Sequence, residues 1–563
     1  MSIDQANSRS TGKGTTWEPV QPHPRGSKAR VLLSAVFGPY ARDDQFGSRA
    51  INPMELYHNQ VTRVQGVFSP RRFHHTWGIR LIQENIAAPC TVLDFPTRES
   101  FARELRKNQY DIVGISAIAV NVWKVKEMCR LAREIAPQAA IIVGGHVAAV
   151  PGLSKMIDAD HVVMGEGIAW FRAYLGEETA APLHHPVLST GFDFRVMGVK
   201  VPDRFVSAST VIASAGCMMG CNFCSTSAFF GGKGNVVNFL KSGEEIYRVM
   251  EAAEAAQGVQ GFSIMDENFL LQKERALELK ELMQKGRKSW TISIFSSANA
   301  IRQYRIEELL ELGVTVIWLG LESPRANYAK LKGADTMKLC RELQDNGITV
   351  LGSTIIGLEH HTPENIMGDI EHAVAHETDF HQFMLYTPVP GTPLYREMTE
   401  QDRLLDVDLA DIHGQDAFNF EHEAISRRDS SKYLLQAFRR DLERNGPSLF
   451  RMCRTAFNGW KRHRDHPDLR IRQIFTRKSN LLRYVFSPVL RVMEQYNQKS
   501  NSDITGRISR LRGELEQVFG PVTTVSTRLF APLLRWTSRL EEKRLLRGIT
   551  YEPKTFVYRQ NWA

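Results

Sequence analysis

The chain reads as an α/β protein in three parts: a doubly wound, Rossmann-like parallel sheet, a partial (β/α)6 barrel, and a basic, mostly helical C-terminal module. Three observations predict this. Short apolar runs rich in β-branched residues alternate with amphipathic stretches twice, over 30–164 and again over 210–386. The alternation stops after Tyr395 and helical periodicity takes over. The charge breaks as well: residues 426–563 hold 29 Lys+Arg against 12 Asp+Glu, although the whole chain nets only +9, so everything before 426 is acidic on balance. A chain of 563 residues needs more than one core. Hydrophobic residues at 43% and charged residues at 24% exclude wholesale disorder and a small disulfide scaffold. No apolar run approaches the roughly 18 residues of a spanning helix.

Taken in order, residues 1–28 are polar and rich in Ser, Gly, Thr and Pro, and predict a flexible tail. The first domain is expected over 29–180. Its strands fall at 30–36, 91–95, 111–117, 140–143 and 161–164, with helices at 77–86, 99–107, 122–135 and 152–157. Such a sheet takes ligands at the carboxyl ends of its strands. Ser116, Gly144 and Gly145 lie there and are candidate ligand contacts, because small residues let a bulky group approach the backbone. Segment 39–76 interrupts the sheet with aromatics, His and Arg, and is read as a cap over a cofactor or substrate cavity. No Gly-x-Gly-x-x-Gly follows the first strand, so a nicotinamide nucleotide is not expected.

The second domain is expected over 200–400, with strands at 210–214, 261–265, 291–295, 315–319, 348–354 and 380–386. Six βα units are too few to close an eight-stranded barrel, and the site is expected at the carboxyl ends of the strands. A third part spans 401–563, with helices at 432–443, 448–463, 480–496, 504–519 and 523–547.

The first barrel strand runs into Cys217-x3-Cys221-x2-Cys224, so three of the seven cysteines fall in one short loop. Thiolates at such spacing suit an iron–sulfur cluster, around which one loop must wrap. A structural zinc site would want four ligands in two pairs, and no second pair lies nearby. Cys90, Cys129, Cys340 and Cys453 are scattered singly and read as small buried hydrophobes.

A Cys-x3-Cys-x2-Cys loop after the first strand of a βα series, with Phe223 before its last cysteine, resembles the radical S-adenosylmethionine (SAM) superfamily. The resemblance implies that Cys217, Cys221 and Cys224 hold a [4Fe–4S] cluster whose fourth iron stays open for SAM. It further implies that Asp266 and Glu267 after strand two, Glu322 and Ser323 after strand four, and Gly357 after strand five position SAM. Asp266-Glu267 departs from the usual Gly-Gly-Glu, and the strand-five match is loose because its first glycine is displaced to Gly352. A five-stranded doubly wound domain directly before such a barrel is similar to the cobalamin-binding domain of class B radical SAM methylases. Its local carriers are Gly114-Ile115-Ser116, Gly144-Gly145-His146 and Gly165-Glu166-Gly167. No Asp-x-His-x-x-Gly loop is present, so no axial histidine from that motif is expected.

In the basic module, Leu529, Leu533, Trp536 and Leu540 recur at helical spacing among Arg528, Arg535, Arg539, Lys543, Arg544 and Arg547. Such a helix can pack on the barrel, lie on an anionic membrane, or neutralise nucleic-acid phosphates; nucleic acid is the least favoured of the three. The expected function is C-methylation of an unactivated carbon in a hydrophobic or lipid-like small molecule, with a reductant such as flavodoxin or ferredoxin. The alternatives are a radical SAM cyclase or oxidoreductase with the same cofactors, and a membrane- or nucleic-acid-binding scaffold with a vestigial barrel. With no basic-then-apolar leader in the sequence, the expected compartment is the cytoplasm, with the inner membrane face as a peripheral site.

Overall fold

The central apolar runs of the first domain become a parallel sheet because they are buried on both faces. Leu32, Val113 and Ile141 pack on one side, and their neighbours Val31, Ile112 and Ile142 on the other. The computed structural model describes residues 20–38, 46, 56–323, 325, 333–498, 501–549, 551 and 554–561. The expected tail lies outside the described residues as far as 19, and so does most of 39–55. The parallel strands are Val31–Ala35, Cys90–Asp94, Ile112–Ser116, Ala140–Gly144 and His161–Val162. They lie in the spatial order 90–94, 31–35, 112–116, 140–144, 161–162.

A sixth strand completes this sheet from the other end of the chain. Phe556–Gln560 pairs antiparallel with Cys90–Asp94, and Gln83 donates to the Tyr558 carbonyl across the edge. The region after 401 is mostly helical, as expected, and its last strand also closes the edge of the first sheet.

The second sheet holds six parallel strands in chain order: Ser209–Val211, Gly261–Ile264, Thr291–Ser296, Val314–Gly320, Thr349–Ile356 and Phe380–Leu385. An antiparallel strand, Leu188–Ser189, flanks the first of them. With six parallel strands the sheet curves without closing, and its carboxyl ends face those of the first sheet. Helices Arg427–Asn445 and Ser448–His463 lock onto its outer side. Buried Arg451 pairs with Asp441 at 2.7 Å and donates to the Thr378 carbonyl at 2.8 Å. The run 480–496, expected as one helix, is divided. A wide turn at Leu482–Phe486 joins Leu469–Leu481 to Ser487–Asn497. Pro488 stands in the first turn of the latter, where its missing N–H and fixed φ break the regular ladder.

Candidate active site

Strand Ser214–Gly216 turns out of the barrel to pair with Val236–Asn238, which throws the cysteine loop across the strand ends. Gly220 takes φ +64, and a Cβ there would strike Lys233 at 2.3 Å. Only glycine allows the bend that brings Cys217, Cys221 and Cys224 to one cavity. Cys224 caps helix Ser225–Phe229, its Sγ accepting from the Ser227 amide at 3.5 Å. Burial pushes the Cys224 thiol up to about 11 and raises that of Cys217. Cys217 and Cys224 are thus thiols whose loading with metal must release protons. The other four cysteines are buried elsewhere in the cores. The donor set at the cavity is three thiols, which fits a cluster with one iron left open and not a four-ligand zinc site.

The cavity measures about 580 Å³. Glu267, Asn268, Ser296, Glu322 and Ser353 line it from the barrel strand ends, with Phe295 and Trp318 stacked at 5.1 Å. Burial raises the Glu267 carboxyl, and Thr226 lowers it through a hydrogen bond. Glu322 adopts φ +50, a strained backbone for a residue with a Cβ, at the cavity wall. Asn222 donates to the Tyr386 hydroxyl at 3.0 Å, tying the cysteine loop to the sixth strand. Gly391 takes φ +88 in the Pro/Gly-rich loop that follows. A Cβ there would meet Ala149 at 2.5 Å, so this loop docks directly on the first domain.

Among the expected site residues, the three cysteines, Glu267 and Glu322 line the cavity; the others do not. Asp266 points the opposite way from its neighbour. It accepts from the Ser214 amide at 2.7 Å and pairs with buried Arg275, anchoring the strand that carries the cysteines. Ser323 donates to Asp369 behind the wall. His361 Nδ1 accepts the Gly357 and Leu358 amides while its Nε2 donates to Asp369 at 2.9 Å. That network braces the ends of strands four and five. It occupies both His361 nitrogens, which leaves that ring no free lone pair for a metal. Gly357 is covered by the Phe418 ring.

On the first sheet, Ser116, Gly144 and Gly145 lie within the strand tips, Gly145 packed against the Ala117 carbonyl. The wall is built a few positions further along, by Ile118, Ala119, Val120, His146 and Ala149. His146 stacks on Phe229 at 4.6 Å, burial pulls its imidazole down to about 4, and its Nε2 is buried without a hydrogen-bond partner among the described residues. A neutral, unsatisfied imidazole in an otherwise apolar wall suits a large, weakly polar macrocycle, so this side fits a corrin. Gln60, from the described part of the insertion, also lines the cavity.

The missed residues Asn268, Phe295, Ser296, Trp318 and Ser353 carry a detectable signal, since each lies in the carboxyl half of a barrel strand or shortly beyond it.

Residues 211–373 match the Radical SAM superfamily, and residues 67–175 match the B12 binding domain. An uncharacterized methyltransferase of Pyrococcus horikoshii is 26% identical over 354 residues, 55% of this chain and 74% of the relative. The hopanoid C-2 methylase of Rhodopseudomonas palustris is 23% identical over 353 residues, 58% of this chain and 62% of that protein. Among solved structures, the radical S-adenosylmethionine methyltransferase TsrM from Kitasatospora setae, with cobalamin and a [4Fe-4S] cluster bound, superposes with a TM-score of 0.50. The match has 15% identity and covers 80% of this chain and 99% of that one.

Proposed function

Because the chain belongs to the cobalamin-binding radical SAM enzymes, we propose that it methylates an unactivated carbon of an apolar, lipid-like small molecule. Its cofactors are a [4Fe–4S] cluster, SAM and cobalamin. When bound, the cluster supplies the electron that cleaves the SAM sulfonium to a 5′-deoxyadenosyl radical, and cobalamin supplies a carrier for the methyl group. Cys217, Cys221 and Cys224 hold the cluster. Glu267 and Glu322 accept hydrogen bonds from the ammonium and hydroxyl groups of SAM. Asp266 and Ser323 act as positioning residues, fixing the strand ends from behind. Phe295, Trp318 and the apolar first-sheet wall exclude water from the radical. His146 would stand in the wall that holds the corrin.

One observation carries this reading: the cysteine loop and the loops of the first sheet line the same cavity. A methyl cation donor cannot readily alkylate a carbon radical, so a second methyl carrier beside the cluster has a chemical purpose. Supporting an apolar substrate are the aromatic floor and the likeness to a hopanoid methylase. The electron comes from an external reductant, for which a flavodoxin or ferredoxin is proposed. No helix among the described residues is long and apolar enough to cross a membrane. We propose contact with the membrane surface through the basic C-terminal helices, reached from the cytoplasm.

The test is anaerobic turnover with methyl-labelled SAM and a membrane lipid extract. Label in an extracted product, with S-adenosylhomocysteine and 5′-deoxyadenosine formed together, is the expected result. 5′-Deoxyadenosine without S-adenosylhomocysteine would replace methylation by cyclisation or oxidation at the same site.

A further inference from the structure

The last long helix, Pro521–Leu546, packs inside out. Its buried side is Thr523, Ser526, Thr527, Ala531, Ser538 and Glu541. Val522, Val525, Leu529, Leu533, Trp536 and Leu540 stand between 46% and 67% exposed. Their spacing puts all six on one stripe of the helix. An amphipathic helix that packed only on its own bundle would bury that stripe. A contiguous exposed apolar strip of this length marks a surface with another partner.

The flank of the stripe identifies the partner. Arg528, Arg535 and Arg539 recur on the adjacent face and, with Arg491 and Arg512, line a cavity of about 590 Å³. Arg491 is paired with Glu494, and Arg512 with Glu494 and Glu516. Arg528, Arg535 and Arg539 make no ion pair among the described residues, and Glu516 is the one carboxylate on the cavity wall. Three uncompensated guanidinium groups converge where the apolar stripe meets the bundle. Guanidinium forks match phosphate oxygens, and a cationic helix with a broad apolar side lies in the plane of an anionic bilayer.

We propose that this cavity binds the phosphate of an anionic membrane lipid while the Val522–Leu540 stripe enters the acyl boundary. The inference deepens the membrane-surface reading above and rests on it. It names the helix, the pocket and the headgroup chemistry.

The test uses the full chain, pelleted with phosphatidylcholine vesicles with and without phosphatidylglycerol. Binding at least about tenfold stronger to the anionic vesicles is expected. Two variants should each lose it by at least about tenfold: Arg528→Gln/Arg535→Gln/Arg539→Gln and Leu529→Gln/Leu533→Gln/Trp536→Gln. Both should keep the wild-type circular dichroism and vesicle-free formation of 5′-deoxyadenosine. Equal binding to neutral vesicles, or binding that survives the arginine variant, overturns the headgroup assignment. Calorimetric binding of inorganic phosphate without vesicle binding assigns the pocket to a free anion and overturns the lipid. A dimer broken by the Leu529/Leu533/Trp536 variant gives the stripe to a second copy and overturns the bilayer. A protein that binds anionic vesicles but forms no 5′-deoxyadenosine leaves this inference standing and sinks the proposed function; the reverse result sinks only the inference.

Discussion

Two parallel sheets turn their carboxyl ends toward one cavity, and they furnish it differently. The barrel supplies thiols, carboxylates, an amide and hydroxyls: Cys217, Cys221, Cys224, Glu267, Glu322, Asn268 and Ser296. The first sheet supplies Ile118, Ala119, Val120, Ala149 and the neutral His146. The same topology therefore serves two chemistries. One rim suits a charged nucleotide and a metal cluster; the other suits the face of a large macrocycle. The side chains beyond the strand ends make that division, not the fold.

The largest effect should fall on the barrel rim. Replacing Cys217, Cys221 and Cys224 with alanine should abolish iron binding and bring 5′-deoxyadenosine to background, as read by metal content and product assay. The same substitutions should leave the first sheet able to retain cobalamin, read by absorption after gel filtration.

The Asp266–Glu267 pair sharpens the contrast within that rim. Asp266→Ala leaves Arg275 buried without its carboxylate and should cost about 3–5 kcal/mol of stability in denaturant unfolding. Glu267→Gln, facing the cavity, should stay within about 0.5 kcal/mol of wild type. It should instead reduce 5′-deoxyadenosine formation roughly 10–100-fold, the loss of one charge-assisted hydrogen bond.

Acid tests burial in the scaffold as it does at His146 in the cavity wall. Burial holds His381 near 3 and His376 near 4, against an ordinary value of 6.5. Their neutral forms fit the fold, so this stability is complete above pH 6.5 and is lost as the pH falls toward 4. Each contributes on the order of 3 kcal/mol. A melting temperature that drops steadily over that window is expected, and one that stays flat to pH 4 contradicts it.

The smallest effect belongs to the apolar rim. His146→Ala should weaken cobalamin retention roughly fivefold, one hydrogen bond's worth, and should alter the absorption spectrum of the bound corrin. The iron content should stay unchanged.

How much of this was legible in the sequence depended on how local the cause was. The cysteine triad was readable because one loop supplies all three ligands. The strands were readable because burial on both faces leaves an apolar run. Asp266 and Glu267 were readable only as a pair. They stand in the turn beyond strand Gly261–Ile264, where no period of two says which faces the cavity; Arg275, on the next helix, claims Asp266. Ser323 looked like a ligand contact until Asp369, far along the chain, claimed its hydroxyl. Ser116, Gly144 and Gly145 stop short of the wall because the loops beyond the first-sheet strands, not the strand tips, reach the cavity. The strand Phe556–Gln560 was illegible for a related reason. Its pattern is that of a half-exposed edge, and its partner Cys90–Asp94 lies at the other end of the chain.

Paramagnetic resonance of the anaerobically reconstituted, reduced protein, before and after adding SAM, asks whether three thiolates hold an iron–sulfur cluster with one iron facing this shared cavity. A signal from about four irons per chain that changes shape when SAM binds is the predicted result. Zinc in place of iron, or a cluster signal indifferent to SAM, would contradict it.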